Sequence, residues 1–190
     1  MLEPVLARRI QVVGFDVDGV LTDGAVFFGA LGGEPVELKR FSSLDGLGVL
    51  LLREAGMKVI AVSGRQSEAS RLRMSALGVH EFIEDARGRS LPAFEGSLIR
   101  LNCRIEDVAF IGDDIADLPL LRRVGLPIAV PNAPEEIRRL ARLTTVAVGG
   151  QGVIREIAET LLRARGQWDN TLQAYLSERG DPAPRQSRVR

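Results

Sequence analysis

The segment VVGFDVDGVLTDG, residues 12–24, ends an apolar run in Asp16 and Asp18, with Gly19 next and Asp23 beyond. Carboxylates this close are costly at the end of a buried strand unless a cation or a reaction compensates them. Two later apolar runs also end in polar groups. KVIAVSG ends in Ser63 and Gly64 followed by Arg65, and VAFIGDD ends in Asp113 and Asp114 with Asp117 shortly after. Taken singly, each has an ordinary explanation: an aspartate can cap a helix or shape an Asx turn, and SGR and GDD are common turn compositions. Together, at the carboxyl ends of three predicted strands, they converge where open parallel sheets bind ligands.

Hard oxygen donors from two strands suit Mg²⁺, which takes few carboxylates and keeps waters and phosphate oxygens. Ser63 offers a hydroxyl, and N–H groups near Gly64, approaching the next helix, can hold phosphate oxygens. The implied substrate is a phosphate ester. Residues two apart in a strand lie roughly 6 to 7 Å apart at ~3.3 Å per residue, so Asp16 and Asp18 can take different roles. Asp16, metal-bound and ionised, can attack phosphorus. Asp18, displaced by a turn that Gly19 permits, can protonate the leaving alkoxide and then take a proton from water. Asp23 is expected to shape the turn that follows. His80, the only histidine, precedes a predicted strand and reads as a surface or capping residue.

The elements that position these groups are legible as alternation. IQVVGFD, KVIAVSG, HEFIE, VAFIGDD, LPIAV and TTVAV are short apolar runs separated by helical patterns at 45–56, 66–77, 90–101, 115–123, 134–142 and 151–165. This predicts an α/β fold, a doubly wound, mostly parallel sheet with helices on both faces. The segment at about 25–42 departs from it. Two extended runs flank GALGGE and predict a β-hairpin projecting from the layers. The expected organisation is one domain over 1–165 and a tail over 166–190. In the tail, Trp168, Leu172 and Tyr175 could form a short helix docking on this subunit or a neighbour, and residues 181–190 have a disordered composition.

With 25 basic and 25 acidic residues, no global field favours nucleic acid or an anionic membrane. No run approaches the roughly 18 apolar residues of a membrane helix, so cytoplasmic location is the default expectation. One cysteine, Cys103, excludes an intrachain disulfide and reads as a small core residue. Lys39 and Lys58 are the only lysines in a chain rich in arginine.

DVDGVLTDG, SGR and GDDIAD, in this order, resemble the haloacid dehalogenase superfamily of aspartate-nucleophile phosphatases. The hairpin, FSSLDGLGVLLLREAGMKVIAVSGR, VAFIGDDIADLPLLRRVGLPIAVPNA and GGQGVIREI extend the resemblance over about residues 10–165, to the capless branch that holds the octulosonate 8-phosphate phosphatases. The resemblance implies a nucleophile at Asp16 and a general acid/base at Asp18. It implies Mg²⁺ held by Asp16, Asp113 and the Asp18 carbonyl, with Asp114 and Asp117 supporting. Ser63, Gly64 and Arg65 would bind phosphate, and Asp45 and Gly46 would lie toward the sugar. It further implies a small phosphosugar substrate, an octulosonate 8-phosphate or a nonulosonate 9-phosphate, and a homotetramer associated through the hairpins. The family lysine at the start of the helix after the third strand is Ser90 here, so Arg89, with Arg87 beside it, is the expected replacement. Leu44 and Gln151 stand where arginines are common in the family, and Arg40, Arg65 and Arg155 are candidates to compensate. A non-catalytic binding module and a phosphatase for an unrelated ester remain open alternatives.

Overall fold

The computed structural model describes residues 2–87 and 89–181. Its strands are β1 Val12–Asp16, β2 Phe27–Leu31, β3 Glu34–Leu38, β4 Lys58–Ser63, β5 Glu81–Glu84, β6 Val108–Gly112, β7 Leu126–Ala129 and β8 Leu143–Thr144. Its helices are α1 Pro4–Arg9, α2 Ser43–Glu54, α3 Glu68–Leu77, α4 Ser90–Arg100, α5 Leu118–Leu121, α6 Glu135–Leu140, α7 Val153–Ala164 and α8 Trp168–Ser177.

Six strands form a parallel sheet in the order β5, β4, β1, β6, β7, β8, while β2 and β3 pair only with each other, antiparallel. Val12, Val13 and Phe15 are fully buried, as a central strand covered on both faces requires. From β1 the chain builds outward through β4 and β5, then crosses to β6 and builds the other way. The reversal beside β1 leaves a crevice at the carboxyl ends of β1 and β6. Right-handed crossovers put α2 and α3 on one face and α4, α5 and α6 on the other.

Helix α7 buries Val153, Ile154, Ile157, Ala158, Leu161 and Leu162 along one stripe, which packs on α2. The two backbones meet at Gly48, where an added Cβ would lie 2.6 Å from the Arg155 nitrogen. The start of α7 is clamped by Asp45 of α2, whose carboxylate accepts from Gly152 N at 3.1 Å and Ile154 N at 2.7 Å. Gly149 and Gly150 lie against the turn after β1, and Gly150 N donates to the Val20 carbonyl at 3.0 Å. The GGQG segment is therefore a backbone prop under that turn.

One expectation changes. TTVAV joins the sheet only at its start, where Thr144 pairs with Ala129 and Thr145 N donates to the Ala129 carbonyl at 2.9 Å, because the backbone groups beyond are taken by side chains. The Glu156 carboxylate accepts from Val146 N and Ala147 N, and Thr145 Oγ1 donates to the Ala147 carbonyl. The tail helix forms as α8 and docks on its own chain, with Trp168 buried and stacked under the guanidinium groups of Arg163 at 4.5 Å and Arg155 at 5.9 Å. The expected disorder at 181–190 falls almost wholly on 182–190, outside the described residues.

Gly48→Ala is expected to force α2 and α7 apart and to cost about 1–3 kcal/mol. Thermal melting should show a drop of several degrees with the circular dichroism spectrum retained; a melting temperature equal to wild type would contradict this packing.

Candidate active site

Asp16 ends β1, and the adjacent β6 runs through Ile111 and Gly112 into Asp113. The chain then makes one wide turn, Val17–Leu21, in which Asp18 has φ −91° and ψ 96° and Gly19 has φ 113°. Only glycine holds that φ without strain. A Cβ on Gly19 would also overlap the Asp113 carboxylate, so the missing side chain makes room for the acid. Asp16, Asp18, Gly64, Arg65, Asp113, Asp114 and Asp117 line a single cleft of about 210 Å³.

The acids crowd one another. Burial, followed by the charges of Asp117, Asp113 and Asp18, pushes the Asp16 carboxyl well above the usual carboxylate range. Burial and then Asp117 and Asp114 push Asp113 up to about 7. Asp117 is pushed up to about 6 by burial, opposed by the N–H groups of Asp113 and Asp114, which donate to it at 2.9 and 3.3 Å. Asp117 thus shapes the loop that carries Asp113, while Asp114 caps the next turn by accepting from Ile115 N. Among the described residues no three acidic, histidine or cysteine side chains close a cage. Asp16 and Asp113 instead present carboxylates from adjacent strands on one side of an open cleft. That donor set suits a small hard cation, which needs few carboxylates and completes its shell with water and substrate oxygens.

A buried cation reaches one of these acids from the hairpin. Lys39, one residue past β3, is fully buried by its side chain and donates to Asp18 Oδ1 at 2.6 Å and to Ser70 Oγ at 3.0 Å. Glu37, two residues earlier and on the same face of the strand, accepts from Arg65 Nη2 at 2.8 Å and from the Ser67 hydroxyl. The sequence reading passed over Lys39. Its rarity, in a chain with one other lysine, was the available signal.

This arrangement has known counterparts. A curated relative, 3-deoxy-D-manno-octulosonate 8-phosphate phosphatase KdsC of Escherichia coli strain K12, is 36% identical over 164 residues, 86% of this chain and 85% of that protein. Residues 93–157 match the family described as haloacid dehalogenase-like hydrolase. The chain belongs to the haloacid dehalogenase-like hydrolases. Among solved members, the 3-deoxy-D-manno-octulosonate 8-phosphate phosphatase of Moraxella catarrhalis, in complex with magnesium ion, phosphate ion and KDO, superposes with a TM-score of 0.83. It is 32% identical, over 90% of this chain and 97% of that one. The cobalt-bound deoxy-D-mannose-octulosonate 8-phosphate phosphatase of Haemophilus influenzae gives a TM-score of 0.81 at 33% identity, over 90% and 99%.

Several residues expected in the site of this hydrolase lie elsewhere. Arg87 and Arg89 are exposed, Arg89 at the N-cap of α4, and neither lines the cleft; the ammonium that reaches one of its acids is that of Lys39, on Asp18. Asp45 is fully buried and committed to the start of α7, and Gly46 faces Arg73; neither lines the cleft. Arg40 pairs with Asp23 at 2.8 Å and Arg155 with Glu159 at 2.6 Å, and neither lines the cleft; Arg65 does, while pairing with Glu37 at 2.8 Å. Ser63 is buried behind that wall, its hydroxyl donating to the Arg65 carbonyl at 2.9 Å and lying 3.4 Å from Asp18 Oδ2. Asp23 shapes the turn into the hairpin, accepting from Ala25 N. His80 Nδ1 accepts from Val59 N, and Cys103 packs at the core margin.

In EDTA, Asp113→Asn is expected to melt above wild type at about pH 8, with the gap closing as pH falls toward about 5. Folding raises the Asp113 carboxyl to about 7 from an unfolded value of 3.8, so its stabilising protonation is complete below the lower value and lost as pH rises through the upper. Melting curves across that range check this; a wild type more stable than the variant at the alkaline end would contradict it.

Proposed function

We propose that this hydrolase is a Mg²⁺-dependent phosphomonoesterase acting on a small phosphosugar, 3-deoxy-D-manno-octulosonate 8-phosphate or a closely similar nonulosonate 9-phosphate. The observation that carries the reading is the convergence of Asp16 and Asp113 on one cleft, with Asp18 beside them held by a buried lysine. The phosphatase activity of the E. coli relative and the magnesium, phosphate and KDO bound by the M. catarrhalis protein support it.

The Asp16 and Asp113 carboxylates and the Asp18 carbonyl would hold Mg²⁺, which neutralises charge on the phosphoryl oxygens when bound. Asp16 attacks phosphorus as the bond to the sugar oxygen breaks, and Asp18 gives that oxygen its proton. Asp18 then takes a proton from the water that attacks the aspartyl-phosphate, which releases phosphate and restores the Asp16 carboxylate. Gly64 and Arg65 on the cleft wall, with Ser63 behind them, hold the phosphate oxygens. The inactive-module alternative drew on the missing family lysine; an ammonium beside Asp18 weighs against it.

The cleft is small for a whole sugar acid, and the hairpin exposes Phe27, Phe28, Leu31 and Leu38. Both features support a homotetramer in which hairpins associate and a neighbour completes the substrate pocket. A cytoplasmic step of lipopolysaccharide sugar synthesis is the corresponding setting; no described helix is long and apolar enough to cross a membrane.

Phosphate release from a panel of phosphosugars, with Mg²⁺ and with EDTA, tests the reading. Octulosonate 8-phosphate should be turned over only with metal, and Asp16→Asn should lose about 10³-fold or more in kcat while keeping its fold. Full activity in that variant would overturn the nucleophile assignment. Phe28→Asp with Leu31→Asp should lower the mass measured by light scattering; an unchanged mass would remove the hairpin from the interface.

A further inference from the structure

We infer that Lys39 is the positioning residue for proton delivery by Asp18, so that the hairpin itself contributes to the chemistry. The inference rests on the phosphatase reading above and deepens it. Three features of the geometry point to Lys39.

First, burial. The Lys39 side chain has no exposed surface, so its ammonium is committed to the contacts it makes inside the protein. An ammonium has three donors; two are spent on Asp18 Oδ1 at 2.6 Å and Ser70 Oγ at 3.0 Å, and the nearest remaining charge is Glu37 Oε1 at 3.9 Å. A buried lysine is retained at such a position only when its partners compensate the lost hydration.

Second, orientation. Asp18 sits in the turn after β1 with non-helical dihedrals, outside the sheet's ladder, so its carboxyl is held by side-chain partners. Lys39 Nζ takes one oxygen, and the other lies 3.4 Å from Ser63 Oγ. Lys39 thereby fixes one carboxyl oxygen and leaves Oδ2, in the cleft that Asp16 and Asp113 also line, to carry the proton. Proton transfer to a leaving oxygen needs that placement, since the donor must meet the oxygen within hydrogen-bond reach.

Third, connection. The hairpin strands are mostly exposed and pair only with each other, yet Glu37 and Lys39 reach from one face into the loop after β4 and the first turns of α3. Ser67 caps α3 and Arg65 lines the cleft. The hairpin's polar face is thus fastened to the acid and to the phosphate loop together.

The test compares two esters by kcat/KM, which reports steps through departure of the leaving group. One is the alkyl phosphosugar that wild type turns over fastest; the other is p-nitrophenyl phosphate, whose leaving group needs no proton. Lys39→Met is expected to lose about 10²-fold or more on the alkyl ester and under about 10-fold on the aryl ester, as loss of acid catalysis requires. Lys39→Arg should recover part of the alkyl activity. Circular dichroism and mass in solution should match wild type. Equal losses on both esters, or wild-type kcat/KM on the alkyl ester in Lys39→Met with the loss falling on Arg89→Ala, would overturn the inference and leave the phosphatase reading standing. A wild type that hydrolyses neither ester with Mg²⁺ would overturn the phosphatase reading, and this inference with it.

Discussion

The rest of the molecule is organised around one electrostatic conflict: Asp16 at the end of β1 and Asp113 just past the end of β6, adjacent strands at the centre of a dry parallel sheet. Burial disfavours both charges; the neighbouring acids Asp117, Asp113 and Asp18 raise the cost further at Asp16, and Asp117 and Asp114 do so at Asp113. A fold seldom tolerates such a pair for stability. The surrounding structure is arranged to keep it. Gly19 leaves the space that Asp113 fills, Asp117 ties down the loop that carries Asp113, and the Gly149–Gly150 backbone supports the turn from beneath. The conflict is relieved either by protons held on the carboxyls or by a cation that displaces them, and that choice links the fold to its chemistry.

Two sources of positive charge fit the cleft. A hard divalent cation suits the side where Asp16 and Asp113 face each other, since two carboxylates and an open shell match its preference for water and phosphate oxygens. The Lys39 ammonium serves the other side and is supplied by an arm that contributes nothing to the central sheet. The arm's two faces divide the work. Glu37 and Lys39 turn inward to the site, while Leu38 and the phenylalanines of β2 remain exposed. A layered domain with no cap can in this way bring a further charge to a shallow crevice.

Much of this was legible in the sequence, for a physical reason. A parallel strand is apolar on both faces, so a polar group at its carboxyl end stands out, and Asp16, Ser63 and Asp113 were found together on that basis. The hairpin was legible because GALGGE breaks two extended runs. Lys39 was not, because what places its ammonium on Asp18 is the seat of the hairpin across the sheet ends, a long-range packing that no local pattern encodes. Arg89 was expected in its place from alignment alone, and an exposed N-cap position shows how little adjacency in sequence says about direction in space. Asp45 was misplaced for a similar reason. Its partners, the N–H groups of Gly152 and Ile154, lie more than a hundred residues away. The two-residue β8 followed from side chains, Thr145 and Glu156, competing for backbone groups that a propensity reading assigns to the sheet.

The central claim, that crowded carboxylates hold protons which a divalent cation displaces, is tested most directly by calorimetric titration of the metal-free protein with Mg²⁺ in buffers of different ionisation enthalpy. At about pH 6 binding should release protons, and the number released should fall as pH rises toward about 8.5. Binding without proton release at the lower pH, or no binding at either, would contradict the account.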